Sequence, residues 1–304
     1  MSAVEMVLHV GAKHGEGPVW DTPSERLWWV DIVGERVHEF DPTSGDDRSW
    51  AVAGQPGGVL VNTDGVPVVY APDGLRQLDT VTGDAPLVVP VEANNASTRG
   101  NDITIDSQGT VWAGTMAYDK RAGAAHLYRI RSSQVDPVVD GLTISNGPAI
   151  DETDGVLYLA DTALGTVDRL DIDVDQGVLS NRHRFLDVSA HGWWPDGMTV
   201  DVDGGLWVAL GNAGEVHRYD RSGQRSHQIA LPTTHPTSVA FGGADGADLY
   251  ITTSWFDVPE ADRPNEPLAG AMFVARPGVT GAGQPRWALP PDAFSPAGLP
   301  SRST

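Results

Sequence analysis

The stretch WWPDGMTVDVDGGLWVAL, residues 193–210, decides the fold. Pro195-Asp196-Gly197 carries turn chemistry and predicts a turn leading into a short strand at 198–200. A polar hinge at 201–205 then leads into the apolar run 206–210, so the whole reads as a hairpin of two strands. An aspartate placed where an apolar strand begins asks for an explanation, and other copies of the same unit supply it.

The hinge-and-strand pattern recurs in SERLWWVDI (24–32), SQGTVWAGT (107–115), TDGVLYLADT (153–162) and DGADLYITT (245–253), with a weaker copy in TDGVPVVYA (63–71). Equivalent positions Trp28, Val68, Trp112, Tyr158, Trp207 and Tyr250 fall 40 to 49 residues apart. A third strand follows each hairpin, as in EVHRYDRSG, where period-2 alternation marks a half-exposed strand. No window carries a long amphipathic helix. Six such units predict an all-β fold, a six-bladed β-propeller with four-stranded blades, spanning residues 1–304 as one domain.

Aligning the units on the residue before each hinge and stepping back five places picks out Glu16, Gly57, Asn101, Asn146, Asp196 and Thr237. In a propeller the first strand of each blade lines the channel, so these positions form a ring around the axis. That places Asp196 at a strand entrance facing the axis. Two carboxylates and two amides at one mouth repel and call for a cation. The oxygen-only set Glu16, Asn146 and Asp196 suits a hard divalent ion. The competing reading is that turn-forming Asn, Asp and Gly recur at strand starts, although Glu16 is no turn former. No histidine falls in the ring, which argues against a three-histidine zinc site. His14, His191 and His235 lie on the same side, either as a general base or as channel-wall residues. Trp193 and Trp194 read equally as an apolar wall above the channel or as blade-edge packing.

The 304 residues contain no cysteine, which excludes disulfides and thiol chemistry. The formal charge of -21 argues against nucleic acid and anionic lipid. The N-terminus MSAVEMVLHV has neither a basic start nor a long apolar run, and no segment is apolar over a membrane-spanning length, so a cytoplasmic protein is expected.

GEGPVW (15–20), RGND (99–102), AGTMAYD (113–119), SNGPAID (145–151) and PDGMTVDVDGGLWVA (195–209) closely resemble the senescence-marker-protein/gluconolactonase family of sugar lactonases. The resemblance implies a six-bladed propeller with one divalent metal held by Glu16, Asn146 and Asp196: calcium first, with zinc, manganese, magnesium or iron as alternatives. It also implies Asp196 as proton acceptor and donor, and Arg99 and Asn101 as residues that bind the lactone's hydroxyls. Asp119 falls where animal members carry a glutamate for the same task, so there the contact is either kept by a shorter arm or lost. The implied activity is hydrolysis of an aldonolactone such as glucono-, xylono- or arabinonolactone. The partner is then a small neutral lactone, with neither nucleic acid nor membrane involved, and the protein a monomer or weak homo-oligomer. The other readings are phosphotriester or other ester hydrolysis on the same propeller, and a non-enzymatic calcium-binding propeller.

Overall fold

The computed structural model describes residues 3–289, and these form six four-stranded antiparallel sheets arranged as a propeller. Blades 1 to 5 occupy residues 15–51, 58–90, 98–142, 145–187 and 194–230. Their first strands, with Pro236–Gly242 of blade 6, pack each against the next around a closed circle. The fold class is therefore the one the repeats predict. The termini of the expected 1–304 domain, residues 1–2 and 290–304, lie outside the described residues. Among the described residues, helix is confined to three single turns, and no helix is long and apolar enough to cross a membrane.

Blade 6 departs from the pattern of the repeats. Its outer strand is Val4–Leu8, which pairs with Met272–Ala275 in the register Val4↔Ala275 and Glu5↔Val274. The N-terminal strand thus covers an edge that would otherwise expose unpaired N–H and C=O groups. Because it belongs to no local hairpin, it bears no mark of the repeat.

The hinge aspartates explain why the repeats look alike. Asp201 accepts from the backbone N–H groups of Asp203 (3.1 Å) and Gly205 (2.9 Å), closing the turn, and from Trp207 Nε1 (2.7 Å). Asp106 does the same for Gln108, Thr110 and Trp112 Nε1, the last at 3.0 Å. Each fully buried tryptophan thereby satisfies its only donor while its rings fill the space between blades. Removing either indole would cost about 3–5 kcal/mol in lost transfer and cavity formation.

The turn expected at 195–197 is absent. Trp194–Val200 is one continuous strand, and its register jumps from Pro195↔Leu210 to Met198↔Val208, so one extra residue bulges there. Equivalent shifts follow Glu16, Gly100, Asn146 and Pro236 in the other first strands, while blade 2 has none. A bulge recruits the same Gly, Asn and Asp chemistry as a turn, because its extra residue also needs unusual dihedrals. Gly17 and Gly147 both sit at φ +50°. The bulges swing the polar ring residues toward the channel mouth.

Candidate functional site

Four of the six ring positions meet through their side chains. Asn146 Nδ2 donates to Asp196 Oδ1 (2.5 Å) and Thr162 Oγ1 (2.8 Å), and its Oδ1 accepts from Asn101 Nδ2 at 2.7 Å. Asn101 is anchored by a second bond to the Ser145 carbonyl (2.9 Å). Thr162 in turn donates to the Pro195 carbonyl (2.8 Å), tying blade 4 to the blade 5 bulge. Glu16 is buried, accepts from the Gly17 N–H (2.8 Å) and shares a hydrogen bond with Asp196.

Burial, and then the charges of Asp196 and Asp102, push the Glu16 carboxyl well above its ordinary range. Burial, and then Asp102 and Asp257, push Asp196 the same way. Arg99 is the neighbouring cation: burial lowers it to about 10, and the charges of Tyr118, Glu16 and Asp196 work to hold it protonated. Its Nη1 donates to the Gly100 carbonyl at 2.7 Å.

The other two ring members are structural. At Gly57 a Cβ would stand 2.3 Å from the Asn101 carbonyl oxygen, so no side chain fits. Thr237 Oγ1 is occupied by the Gly15 carbonyl (2.5 Å). Asp119 is not brought to the others. It is exposed and ion-paired with Arg121 at 3.1 Å.

The three histidines divide by environment. His14 Nδ1 lies 2.9 Å from Ser254 Oγ and 3.0 Å from Asp257 Oδ2. His235 is buried; its Nδ1 accepts from the Asn212 N–H (3.2 Å), which leaves the hydrogen on Nε2. His191 is exposed and stacks on Trp193 with centroids 4.3 Å apart. The tryptophans also split. Trp193 packs against the apolar cluster between blades 4 and 5, whereas Trp194 stacks on His235 and stays exposed at the mouth.

Sequence reading missed Asp102. This buried carboxylate accepts from the Gly147 N–H (2.7 Å) and the Ile103 N–H (2.7 Å), and burial raises it to about 6. It fixes the bulge beside Asn146. Its signal was present in RGND, directly after Asn101. A cavity of about 710 Å³ is lined by the later residues of the first strands, such as Trp20, Ile105 and Val200, together with residues 281–285. Asp102 lines it, but Glu16, Asn101, Asn146 and Asp196 do not, so the polar cluster sits at the opposite mouth.

The donor set fits a divalent cation. Among the described residues no three His, Cys, Asp or Glu side chains gather as a metal-binding group. What gathers is a mixed set, two carboxylates and an amide, all hard oxygen donors. Burial raises both carboxyls, and a bound cation would favour the charged form of each.

Residues 14–255 match the SMP-30/Gluconolactonase/LRE-like region. The chain belongs to this family. It is 34% identical over 289 residues to a pentonolactonase of Haloferax volcanii, covering 93% of this chain and 97% of that one. It is 31% identical over 278 residues to a 6-deoxy-6-sulfogluconolactonase of Pseudomonas putida, covering 90% and 94%. The crystal structure of regucalcin from Agrobacterium tumefaciens, described as a calcium-binding protein, superposes with a TM-score of 0.90 at 26% identity, covering 95% of this chain and 98% of that one. The SMP-30 propeller is thus matched along nearly its whole length.

Proposed function

We propose that this SMP-30 family protein is a divalent-metal-dependent lactonase that opens aldonolactones to aldonic acids. One observation carries the reading: Glu16, Asn146 and Asp196 converge on one point at the channel mouth, with Arg99 and Asn101 beside them. Relatives named as sugar lactonases support the substrate class. A neutral lactone also suits a chain of net charge -21, whose field favours departure of the anionic product.

Glu16, Asn146 and Asp196 would hold the ion, with calcium favoured by the oxygen set and by the calcium-binding regucalcin neighbour. Zinc, manganese, magnesium or iron can use the same three residues. Bound there, the ion supplies Lewis acidity at the carbonyl and acidifies water. The Asp196 carboxylate takes the proton from the water that adds to the lactone carbonyl. It returns that proton to the ring oxygen as the C–O bond breaks, leaving a free hydroxyl and a carboxylic acid, which releases its own proton to solvent as the aldonate departs. Arg99 and Asn101 bind substrate hydroxyls, and the Arg99 guanidinium balances negative charge developing on the carbonyl oxygen. Asp119 would join them only by leaving Arg121. The reading carries with it a single propeller acting in the cytoplasm on a small molecule, with no nucleic-acid or membrane partner.

A pH-indicator assay over a lactone panel tests the substrate class. Xylono-, arabinono- and gluconolactone should be opened with kcat/KM at least tenfold above unsubstituted γ-butyrolactone, because a site built for hydroxyls is left unpaired without them. Arg99→Ala should shrink that ratio more than it lowers the butyrolactone rate. Faster turnover of phosphotriesters or acyl-chain lactones than of every sugar lactone would refute the reading.

A further inference from the structure

Among the described residues the exposed aromatic side chains are Tyr118, Trp194, Trp255 and Phe256, and all four lie at the end of the propeller that carries Glu16 and Asp196. Tyr118 follows a second strand of blade 3, and Trp255 and Phe256 follow the second strand of blade 6. Trp194 opens the first strand of blade 5, two residues before Asp196. Among the described residues, the opposite end exposes none.

Trp194 is the most firmly built of the four. Its ring stacks on His235 with centroids 5.4 Å apart and planes 22° from parallel. His235 is itself buried and pinned by the Asn212 N–H. The indole also runs past Gly211, where a Cβ would stand at ordinary contact distance, 3.4 Å from its ring. With one face covered, the indole still leaves 41% of the residue exposed. An open, rigid indole face beside a reacting centre is a platform. Polar groups stand around it: the Asn212 amide bonds the Gly192 carbonyl (2.9 Å), and Thr234 and Glu266 are paired on the next loop.

We infer that Trp194, backed by His235 on the blade 5–6 side of the mouth, forms a second subsite for a pyranose ring joined to the lactone, so that glycosyl-substituted aldonolactones are substrates. This rests on the lactonase reading above. Arg99 and Asn101 lie in blade 3 and Trp194 in blade 5, two blades further around the axis, so a lactone whose hydroxyls are bound on the blade 3 side leaves a substituent room to reach Trp194. A pyranose presents flat C–H faces to an indole and hydroxyls at its edge, which matches a rigid aromatic face with polar groups around it. An acyl chain would call instead for a deformable aliphatic groove.

The test compares glucono-δ-lactone, cellobionolactone and α-phenyl-γ-butyrolactone on calcium-loaded wild type, Trp194→Ala and Trp194→Phe. We expect Trp194→Ala to lower kcat/KM on cellobionolactone at least tenfold while changing gluconolactone less than threefold, with Trp194→Phe recovering most of the loss. An equal fall on both sugar lactones, or a larger fall on the phenyl lactone, overturns the subsite. Calorimetric titration of the unreactive acid cellobionate against gluconate reads the platform without turnover. Wild type should bind cellobionate about tenfold tighter than gluconate, and Trp194→Ala should bind the two alike. If no lactone is opened but this difference appears, the hydrolase reading fails and the sugar platform stands. If gluconolactone is opened and the difference is missing, the platform alone fails.

Discussion

Replacing Gly147 by alanine tests whether the bulges hold the ring in place. Gly147 and Gly17 occupy equivalent sites in blades 4 and 1 and share φ +50°. In that region an L side chain costs about 1–2 kcal/mol at either position. Their surroundings differ. A Cβ at Gly147 would stand 2.5 Å from the Asp196 carbonyl oxygen and 2.9 Å from Met198 Cγ, whereas at Gly17 the nearest atom is Gly58 Cα at 3.1 Å. Gly147→Ala therefore carries the larger overpacking cost, about 1–3 kcal/mol, since at Gly17 the neighbour need yield only slightly. The totals are about 2–5 kcal/mol for Gly147→Ala and about 1–2 kcal/mol for Gly17→Ala. At about 2 °C per kcal/mol for a chain of this size, Tm should fall by about 4–10 °C and about 2–4 °C respectively. Because the displaced atom belongs to Asp196, calcium affinity should fall about 10–100-fold in Gly147→Ala. Calorimetric melts in chelator, followed by calcium titration of both variants, supply the readout. Equal Tm values for the two variants, with unaltered calcium affinity, would refute the reasoning.

Asp102→Asn replaces one acceptor with an NH₂ group facing the N–H of Gly147 or Ile103, so titration calorimetry should show calcium binding about 10–100-fold weaker. Asp196→Asn keeps a ligand oxygen but loses the proton acceptor. With metal saturating, steady-state kinetics should show kcat on xylonolactone reduced by about 10²-fold or more. Arg286 grips both oxygens of Asp21 at 2.7 Å, and although burial pushes that carboxyl up, the arginine bonds hold it below its ordinary value. A depressed carboxyl contributes stability above its unfolded pKa of about 3.9 and loses it as pH falls through the folded value. Urea unfolding should therefore find Arg286→Ala about 1.5–3 kcal/mol less stable than wild type at pH 7, with the gap closing below pH 4. An equal gap at pH 3 would contradict the assignment.

The blades were legible because most hinges lead within a few residues into a buried aromatic, and Asp106 and Asp201 bond that indole directly. The ring was legible for the same reason: bulges at one place in five first strands keep Glu16, Asn101, Asn146 and Asp196 in register. Features that depend on distant parts of the chain were not. Pro195-Asp196-Gly197 reads as a turn because bulge and turn draw on the same residues, and only pairing with 208–210 separates them. The closing strand Val4–Leu8 shows its role only through its partner more than 260 residues away. Trp193 and Trp194 are adjacent and chemically identical, yet alternation along the chain half-buries one against the core and exposes the other. Asp119 matched a motif position, but the nearby Arg121 holds its carboxylate at the surface.

The central claim is that Glu16, Asn146 and Asp196 form a divalent-ion site on which lactone opening depends. Its most direct test strips the protein with chelator, desalts it, and follows xylonolactone hydrolysis as Mn²⁺ is added. The account predicts background rates before addition and a rise that saturates at one equivalent per chain. Full turnover by the verified metal-free protein would contradict it.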